Sequence, residues 1–276
     1  DNGWTFGVTV AMLNNDAYSS TAVNLDMGGL GKLNFNQGDS GNGIDAMDDK
    51  MPTAWEEPWG AGLGTGVQLV TGVGTSANVQ YTTPKILGTT ITVATAPNQG
   101  QVDAGDKAAG GETADDGTNA AYDATVNINP SFGTEVLSGL DLFVGASYTE
   151  NETLTSNNKY EGVAGVTFDI GPISLGAGRS GIITGLTTTS TNVDYYRNNM
   201  YGVAFNINDN LSVSYGERTL TYDKPGTDVD EEGEGIAVAY TMGSIKIAGN
   251  HNEVTNNAGT AGSNDEMTEI ALSFSF

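Results

Sequence analysis

The sequence predicts an all-β protein, a transmembrane antiparallel β-barrel, and three observations predict it. Apolar and polar residues alternate along most of the chain, whereas helical periodicity is nearly absent. Of the 276 residues, 39 are glycine and 7 are proline, which suits many strands joined by tight turns. The closing segment, 265–276, places Ile270, Leu272 and Phe274 on one face and small or polar residues on the other. One apolar face, one polar face and an aromatic end are typical of a strand between lipid and a wet lumen.

About fourteen strands follow one another along the chain. The first, Trp4–Met12, has large apolar side chains at its even positions and small or polar ones at its odd positions. Tyr122–Asn129 and Tyr160–Asp169 repeat this alternation. The predicted strands are Trp4–Met12, Thr21–Met27, Gly31–Asn36, Asn78–Thr83, Thr89–Ala96, Tyr122–Asn129, Leu140–Thr149, Tyr160–Asp169, Ile173–Ser180, Met200–Asn208, Leu211–Tyr222, Gly235–Met242, Ile245–Asn252 and Met267–Phe276.

The connections between these strands alternate between short and long. The short ones are 28–29, 85–88, 171–172, 208–210 and 243–244. The connection 129–138 is of middle length and belongs with the short ones by its position. The long ones are 14–20, 38–76, 97–121, 150–159, 181–199, 223–233 and 253–265. Short turns at one rim and long loops at the other are the architecture of bacterial outer-membrane barrels. Residues 1–276 are therefore predicted to form a single barrel domain.

Composition excludes several classes of function. The 34 acidic and 10 basic residues give a formal net charge of −24, which argues against nucleic acid as a partner and fits a protein that handles cations. With no cysteine and one histidine, thiolate and histidine metal sites lack ligands. No run of about 18 apolar residues is present, so no transmembrane helix is predicted. Because no nucleophile is paired with a base, the sequence predicts no enzyme and no required cofactor.

The strand pairs with short turns, the terminal Leu272–Phe276 and the long early insertion resemble those of one family. They are similar to the general diffusion porins of Gram-negative outer membranes, closest to the alphaproteobacterial type. The resemblance spans the whole chain as a pattern, without a specific motif. It implies a barrel of 16 strands in the cell outer membrane, a homotrimer surrounded by outer-membrane lipid, and a third external loop folded into the lumen as a constriction.

In one respect the chain departs from this family. The family's constriction loop follows the fifth strand, whereas the long acidic insertion here follows the third, and the opening 1–3 looks like a hairpin turn. Both observations are explained if an N-terminal hairpin is missing, because two further strands raise fourteen to sixteen. A complete barrel of 14 strands is the alternative, since that number is also even.

The insertion at about residues 38–76 is the expected constriction loop. A long loop without secondary structure is either functional or disordered, and Trp55 and Trp59 favour function, with the aromatic rings anchored against the wall. The acids of its Gly38–Gly66 portion are Asp39, Asp45, Asp48, Asp49, Glu56 and Glu57. Folded inward, such a ring of carboxylates predicts a cation-preferring eyelet. The alternative is an acidic external loop exposed to solvent.

The family also places a basic cluster on the wall opposite its acidic loop. By strand parity Lys32 and Lys246 face the lumen here. Arg218 is the third candidate, on a side left open because the alternation slips near Glu217. Much of the family's basic cluster lies on the first strands, which this chain is expected to lack.

A possible calcium site lies in one external loop. Asp228–Gly233 resembles the first half of an EF-hand loop, with acids at positions 1, 3 and 5 and glycine at position 6. The second half differs, because position 12 is Ala239 and a strand follows. Asp228, Asp230 and Glu232 are therefore candidate Ca²⁺ ligands, and the alternative is a solvated acidic loop.

Together these patterns predict an outer-membrane porin for passive diffusion of small hydrophilic solutes and ions. Its cation preference is set by the acids of the constriction loop, and Ca²⁺ is the candidate ion at the acidic loops. Two alternatives stay open. One is a substrate-specific outer-membrane channel, for which Trp55 and Trp59 are the hints; the other is a soluble calcium-binding extracellular β-protein.

Overall fold

The computed structural model describes residues 3–12, 19–47, 50–58, 69–99, 118–130, 137–151, 157–186 and 192–275. It contains one antiparallel sheet of 14 strands, each hydrogen-bonded to the next along the chain. The strands are β1 (Thr5–Ala11), β2 (Ser20–Asp26), β3 (Lys32–Gln37), β4 (Asn78–Thr82), β5 (Thr89–Ala96), β6 (Thr118–Ile128), β7 (Leu140–Asn151), β8 (Lys159–Ile170), β9 (Ile173–Ile183), β10 (Tyr195–Asn208), β11 (Leu211–Asp223), β12 (Val229–Met242), β13 (Ile245–Thr255) and β14 (Asp265–Phe274).

The order of the strands is the predicted one, and several of them are longer than predicted, most clearly β10 and β12. β10 begins at Tyr195 and β12 begins at Val229, several residues before the predicted starts. The early part of β12 is acidic, but it pairs with β11 in unbroken register from Val229 to Tyr240. Charged residues are tolerated on this part of the strand because it lies beyond the outward apolar residues, which begin at Ile236.

The two faces of the sheet have the polarity of a membrane barrel. Large apolar side chains such as Phe6, Val144 and Leu272 are exposed on the outer face. On the inner face, Asp123, Thr149 and other polar side chains are buried. A soluble β-protein hides its apolar face, so this reversed arrangement favours the membrane barrel over the soluble alternative. Among the described residues, no helix is long and apolar enough to cross a membrane.

Aromatic rings mark one height on the outer face. Tyr122, Tyr148 and Tyr160 lie directly opposite one another on β6, β7 and β8. Their ring centroids are 6.3 Å and 5.3 Å apart, so the three rings form a continuous row. Such a row at the end of the apolar zone corresponds to the aromatic girdle with which membrane barrels meet the interface.

On β11 to β14, a row of glutamates marks the end of the apolar zone. Glu217, Glu234, Glu253 and Glu266 pair across β11 to β14 on the outer face. Toward the short turns from this row, the outward residues of β12 are apolar up to Met242. Carboxylates are costly in hydrocarbon, so the row indicates where the wall rises out of the apolar layer.

The wall has two heights. β1 to β4 contain 5 to 7 residues each, and we name them the low wall. β6 to β14 contain 10 to 14 residues each, and we name them the high wall. A tilted strand needs about 9–11 residues to span a bilayer, so the high wall meets that length and the low wall does not.

Candidate functional site, a loop folded into the barrel

We name the connection between β3 and β4, residues 38–77, the inner loop. Its described residues, 38–47, 50–58 and 69–77, lie on the lumen side of the sheet. It leaves the low wall and packs against the inner face of the high wall, where its apolar side chains are buried with apolar residues of β7 to β10. This cluster comprises Ile44, Met47, Met51 and Val70 of the loop and Phe143, Val163, Ile182 and Met200 of the wall. Burial of apolar side chains on both partners stabilises the inward position.

The carboxylate of Asp123 on β6 binds both arms of the inner loop, the outgoing arm near Ile44 and the returning arm near Val73. Its Oδ2 accepts the backbone N–H of Ile44 and that of Val73, each at 3.0 Å. Two loop glycines allow this approach, because a Cβ would lie 2.1 Å from Oδ2 at Gly43 and 2.2 Å from it at Gly72. Asp123 therefore joins the outgoing and the returning arms through one oxygen atom, a charge-assisted arrangement.

Glu161 on β8 holds the returning arm a second time. Its Oε2 accepts the backbone N–H of Gly72 at 2.6 Å, and its Oε1 lies 3.3 Å from the backbone N–H of Thr71. Lys159 on the same strand forms an ion pair with Oε1 at 2.9 Å. Because a buried charge is tolerated only when paired and hydrogen-bonded, these contacts account for the burial of the Glu161 carboxylate.

A row of glycines forms the floor beneath the middle of the loop. Gly176, Gly202, Gly216 and Gly235 lie directly opposite one another on β9 to β12. The loop passes so close that a Cβ at Gly176 would lie 2.3 Å from Cδ of Pro52. Two residues after Pro52, the backbone N–H of Ala54 donates to Oγ of Ser214 at 2.8 Å. At Gly176, Gly202 and Gly216 the missing side chains create the groove in which the loop lies, because a Cβ there would meet Pro52 or Pro58.

Comparisons with known proteins agree with this geometry. No family model matches the chain, and no curated protein does either. Solved structures do match it. The anion-selective porin from Comamonas acidovorans is 12% identical with a TM-score of 0.63, over 95% of this chain and 79% of that one. The outer-membrane expressed OmpT of Vibrio cholerae is 12% identical with a TM-score of 0.60, over 98% and 82%. A mutant of the Rh. blastica porin is 13% identical with a TM-score of 0.58, over 100% and 86%.

The chain has the porin fold. The predicted resemblance is thereby confirmed for the fold, and the inward course of the inner loop agrees with the expected constriction. Identities of 12 to 13% carry no information on which solutes pass, so the chemistry of the lumen has to be taken from this chain's own residues.

Within the porin fold, the predicted acids of the inner loop differ in exposure. Asp39 is exposed, and Glu56 and Glu57 are partly exposed. Asp45 is also partly exposed, and its Oδ2 accepts the backbone N–H of Gly41 at 2.7 Å. Asp48 and Asp49 lie outside the described residues, as does Trp59. Trp55 is partly buried, whereas the side chains that anchor the loop are Ile44, Met47, Met51 and Val70.

The three predicted basic residues all have lumen parity but do not come together. Lys32 begins β3 at the short-turn end, where it forms an ion pair with Asp26 at 3.1 Å. Lys246 is the second residue of β13, beside the short turn at 243–244. Arg218 lies on the high wall, buried, and forms an ion pair with Glu231 of β12. The alternation runs without a break through Glu217, which places Arg218 on the inner face.

The predicted calcium ligands do not form a loop. Asp230 and Glu232 belong to β12 and point to its outer face, and Asp228 directly precedes that strand. Extended backbone cannot wrap around an ion as an EF-hand loop does, because consecutive same-face ligands in a strand are spread along it. No group of three or more potential metal ligands comes together in the part of the chain that the structure describes.

The residues that position the loop were not among the predicted site residues. Alternation along the predicted strands puts Asp123 and Glu161 on lumen faces, and the structure buries both there, but alternation does not identify them as loop anchors. Their available signal was a charged residue at an inward position in the middle of an alternating strand. The glycine row had a signal too, because four predicted neighbouring strands each carry glycine at an inward position.

Proposed function

We propose that the chain is an outer-membrane channel through which small hydrophilic solutes and ions diffuse passively, with a preference for cations. The observation that carries this proposal is the inner loop, which is held inside a porin-fold barrel by buried contacts while several of its carboxylates stay accessible. A loop that narrows an aqueous lumen selects by size, and carboxylates on it attract cations and repel anions.

The charges of the lumen wall support the same sign of selectivity. Lys32, Lys159 and Arg218 each form an ion pair with an acidic residue of the wall. Their positive charge is therefore balanced locally. Asp39 and Glu56, in contrast, lie on the loop with exposed or partly exposed side chains. The field at the loop is thus expected to be negative and to lack the strong basic half that the family resemblance implied.

The test is the reversal potential of single channels in a planar bilayer under a KCl gradient. We expect stepwise conductance and a reversal potential that favours K⁺. Replacing Glu56→Gln and Glu57→Gln together removes two loop charges and should move the reversal potential toward zero. The matched control replaces two exposed outer-face acids, Glu232→Gln and Glu266→Gln, and should leave it unchanged.

Two results would contradict the proposal. Protein that stays soluble without detergent and forms no channels would exclude a membrane channel. Channels whose reversal potential favours Cl⁻ would retain the channel and reject the cation preference. Folding of each variant is checked by heat-modifiable mobility on gels, so that loss of the barrel is not mistaken for loss of selectivity.

We further propose that the channel is a homotrimer whose subunits meet at the low wall. Strands of 5 to 7 residues are short for a bilayer, so a low wall facing lipid leaves polar rim groups inside the hydrocarbon layer. Phe6, Val8 and Val10 on β1 are exposed, apolar and available for a neighbouring subunit. Contact with a second copy keeps the polar rim groups of the low wall out of the hydrocarbon and covers these apolar side chains.

The trimer is tested by size-exclusion chromatography in mild detergent. Val8→Ser on the low wall should release monomers, whereas Val238→Ser on the outer face of the high wall should leave the trimer intact. Equal behaviour of the two variants would contradict a subunit contact at the low wall.

A further inference from the structure

A second segment folds toward the lumen, at the external rim of β11 and β12. It is the connection between β13 and β14, residues 256–264, and we name it the rim loop. Its tip contacts Tyr222 and Glu231, two buried residues whose parity places them on the inner face of the wall. Since it contacts inward side chains, the tip lies inside the circumference of the barrel.

The tip is held by several different contacts. The backbone N–H of Ala258 donates to Oε2 of Glu231 at 2.8 Å. Lys224 donates from Nζ to the carbonyl oxygen of Gly259 at 2.7 Å and lies 5.3 Å from the centroid of the Tyr222 ring. Gly259 rests on that ring so closely that a Cβ would lie 2.6 Å from ring carbons.

The surface that receives the tip is rigid. Tyr222 donates its hydroxyl to Oε2 of Glu231 at 3.0 Å, and its ring packs edge-on against Tyr196 at 5.2 Å. Glu231 is also paired with Arg218, and both side chains are fully buried. A side chain fixed by packing and by hydrogen bonds offers a defined docking surface, because it cannot rotate away from the loop.

The rim loop itself is compact and carries backbone strain. The backbone N–H of Asn257 donates to the carbonyl of Ser263 at 2.7 Å, and that of Gly262 donates to Oδ1 of Asn256 at 2.8 Å. Ala258 has φ of 53°, in the left-handed region that alanine avoids, and Asn256 has the same φ, which asparagine adopts more readily. Such strain persists where surrounding contacts maintain it, and here those contacts are the ones made by the docked tip.

We propose that the rim loop is a second size-selective element of the pore, a lid docked on Tyr222 and Glu231 that narrows the external mouth. This proposal rests on the proposed channel function. The inner loop selects solutes at its own level by charge and size, whereas the docked rim loop limits how large a solute reaches that level. Release of the tip from Tyr222 therefore removes the outer of two barriers in series, so that larger neutral solutes reach the inner loop faster while the inner loop itself is unaltered.

Two glycines of the rim loop provide a matched test. Gly259 has φ of +63° and no space for a Cβ, whereas Gly262 has φ of +79° and nothing within 4 Å of a Cβ. Both substitutions to alanine place a side chain in the left-handed region, and only Gly259→Ala collides with the ring. Proteoliposome swelling in neutral sugars of increasing size measures the sieve, and heat-modifiable mobility confirms the barrel.

We expect Gly259→Ala to raise the swelling rate severalfold for the larger sugars and hardly at all for the smallest, with Gly262→Ala like wild type. Lys224→Met removes one contact to the tip without adding bulk, so it should shift the rate in the same direction by less. Equal rates for Gly259→Ala and Gly262→Ala in folded protein would overturn the lid. Absence of swelling with wild-type protein would instead reject the channel itself.

Discussion

The wall of β6 to β8 and the inner loop that packs on it both carry carboxylates, but the wall carboxylates bind the loop and the loop carboxylates expose charge to the lumen. Asp123 and Glu161 on the wall are buried and accept backbone N–H groups of the loop. Asp39 and Glu56 on the loop are exposed or partly exposed. Burial decides the role: a buried carboxylate is stable only when its hydrogen bonds are made, whereas an accessible one leaves its charge to the lumen.

The difference separates the shape of the pore from its charge. Substitutions at the wall carboxylates should move the inner loop and change conductance and stability together. Substitutions at the loop carboxylates should alter ion preference while the loop keeps its place. The following changes test the wall side of this comparison, beginning with the one that removes the most contacts.

Asp123→Ala is expected to have the largest effect. It leaves the N–H groups of Ile44 and Val73 without their acceptor, and each orphaned buried N–H costs about 1–3 kcal/mol, so the loss is about 2–6 kcal/mol. The loop should loosen, single-channel conductance should rise, and the urea midpoint of the folded barrel should fall. Proteolysis of the loop in the folded protein gives an independent measure.

Asp123→Asn is the graded control for this change. The amide oxygen still accepts a hydrogen bond but without the charge, so about 1–2 kcal/mol should be lost. Stability equal to wild type in the alanine variant would show that Asp123 does not hold the loop. An asparagine variant as weak as the alanine variant would show that the negative charge matters more than the acceptor.

Gly176→Ala tests the glycine row beneath the inner loop rather than the wall carboxylates that bind it. Its Cβ would lie 2.3 Å from Cδ of Pro52, and because proline is rigid, the loop backbone has to shift. Overpacking of this kind costs about 1–3 kcal/mol. Gly7→Ala is the matched control, since it lies on the low wall with nothing within 4 Å of a Cβ. Equal conductance in the two variants would contradict the close approach.

The sequence was sufficient to predict the strands of this fold, and alternation explains why. Each strand has to present apolar residues to one side and polar residues to the other, so Leu140–Asn151 and its neighbours are visible in isolation. β12 began earlier than predicted because acids on an outward face, such as Glu232, resemble loop residues when pairing with β11 is not known.

The site was predicted less completely because it depends on contacts between distant segments. Ile44 and Asp123 meet across 79 positions, and no local pattern specifies that pairing. The composition of the inner loop indicated an acidic element with buried aromatics. It did not reveal that a hydrophobic cluster and two wall carboxylates hold the loop, since burial is a property of the folded chain rather than of a segment.

Glu161→Gln should have a smaller effect on stability than Asp123→Ala or Gly176→Ala. The side-chain oxygen can still accept the N–H of Gly72, while the charge and the ion pair with Lys159 are lost. A loss of about 1–2 kcal/mol is expected, because a neutral acceptor replaces a charged one at Gly72 and the N–H of Thr71, already 3.3 Å from Oε1, loses its acceptor. The urea midpoint measures it, and a loss as large as that of Asp123→Ala would place the main anchor on β8 instead of β6.

Lys159→Met is expected to have the smallest effect and separates the ion pair from the hydrogen bonds of Glu161. The Lys159 side chain is 26% exposed, so water and salt screen its attraction to the carboxylate. Pairs of this kind contribute about 0–1 kcal/mol, and methionine keeps most of the apolar stem in place. The urea midpoint should barely move at high salt and fall slightly at low salt. A loss that is large and independent of salt would mean that Glu161 needs its cation to remain ionised beneath the loop, and the wall would then hold the loop by charge balance rather than by hydrogen bonds to its backbone.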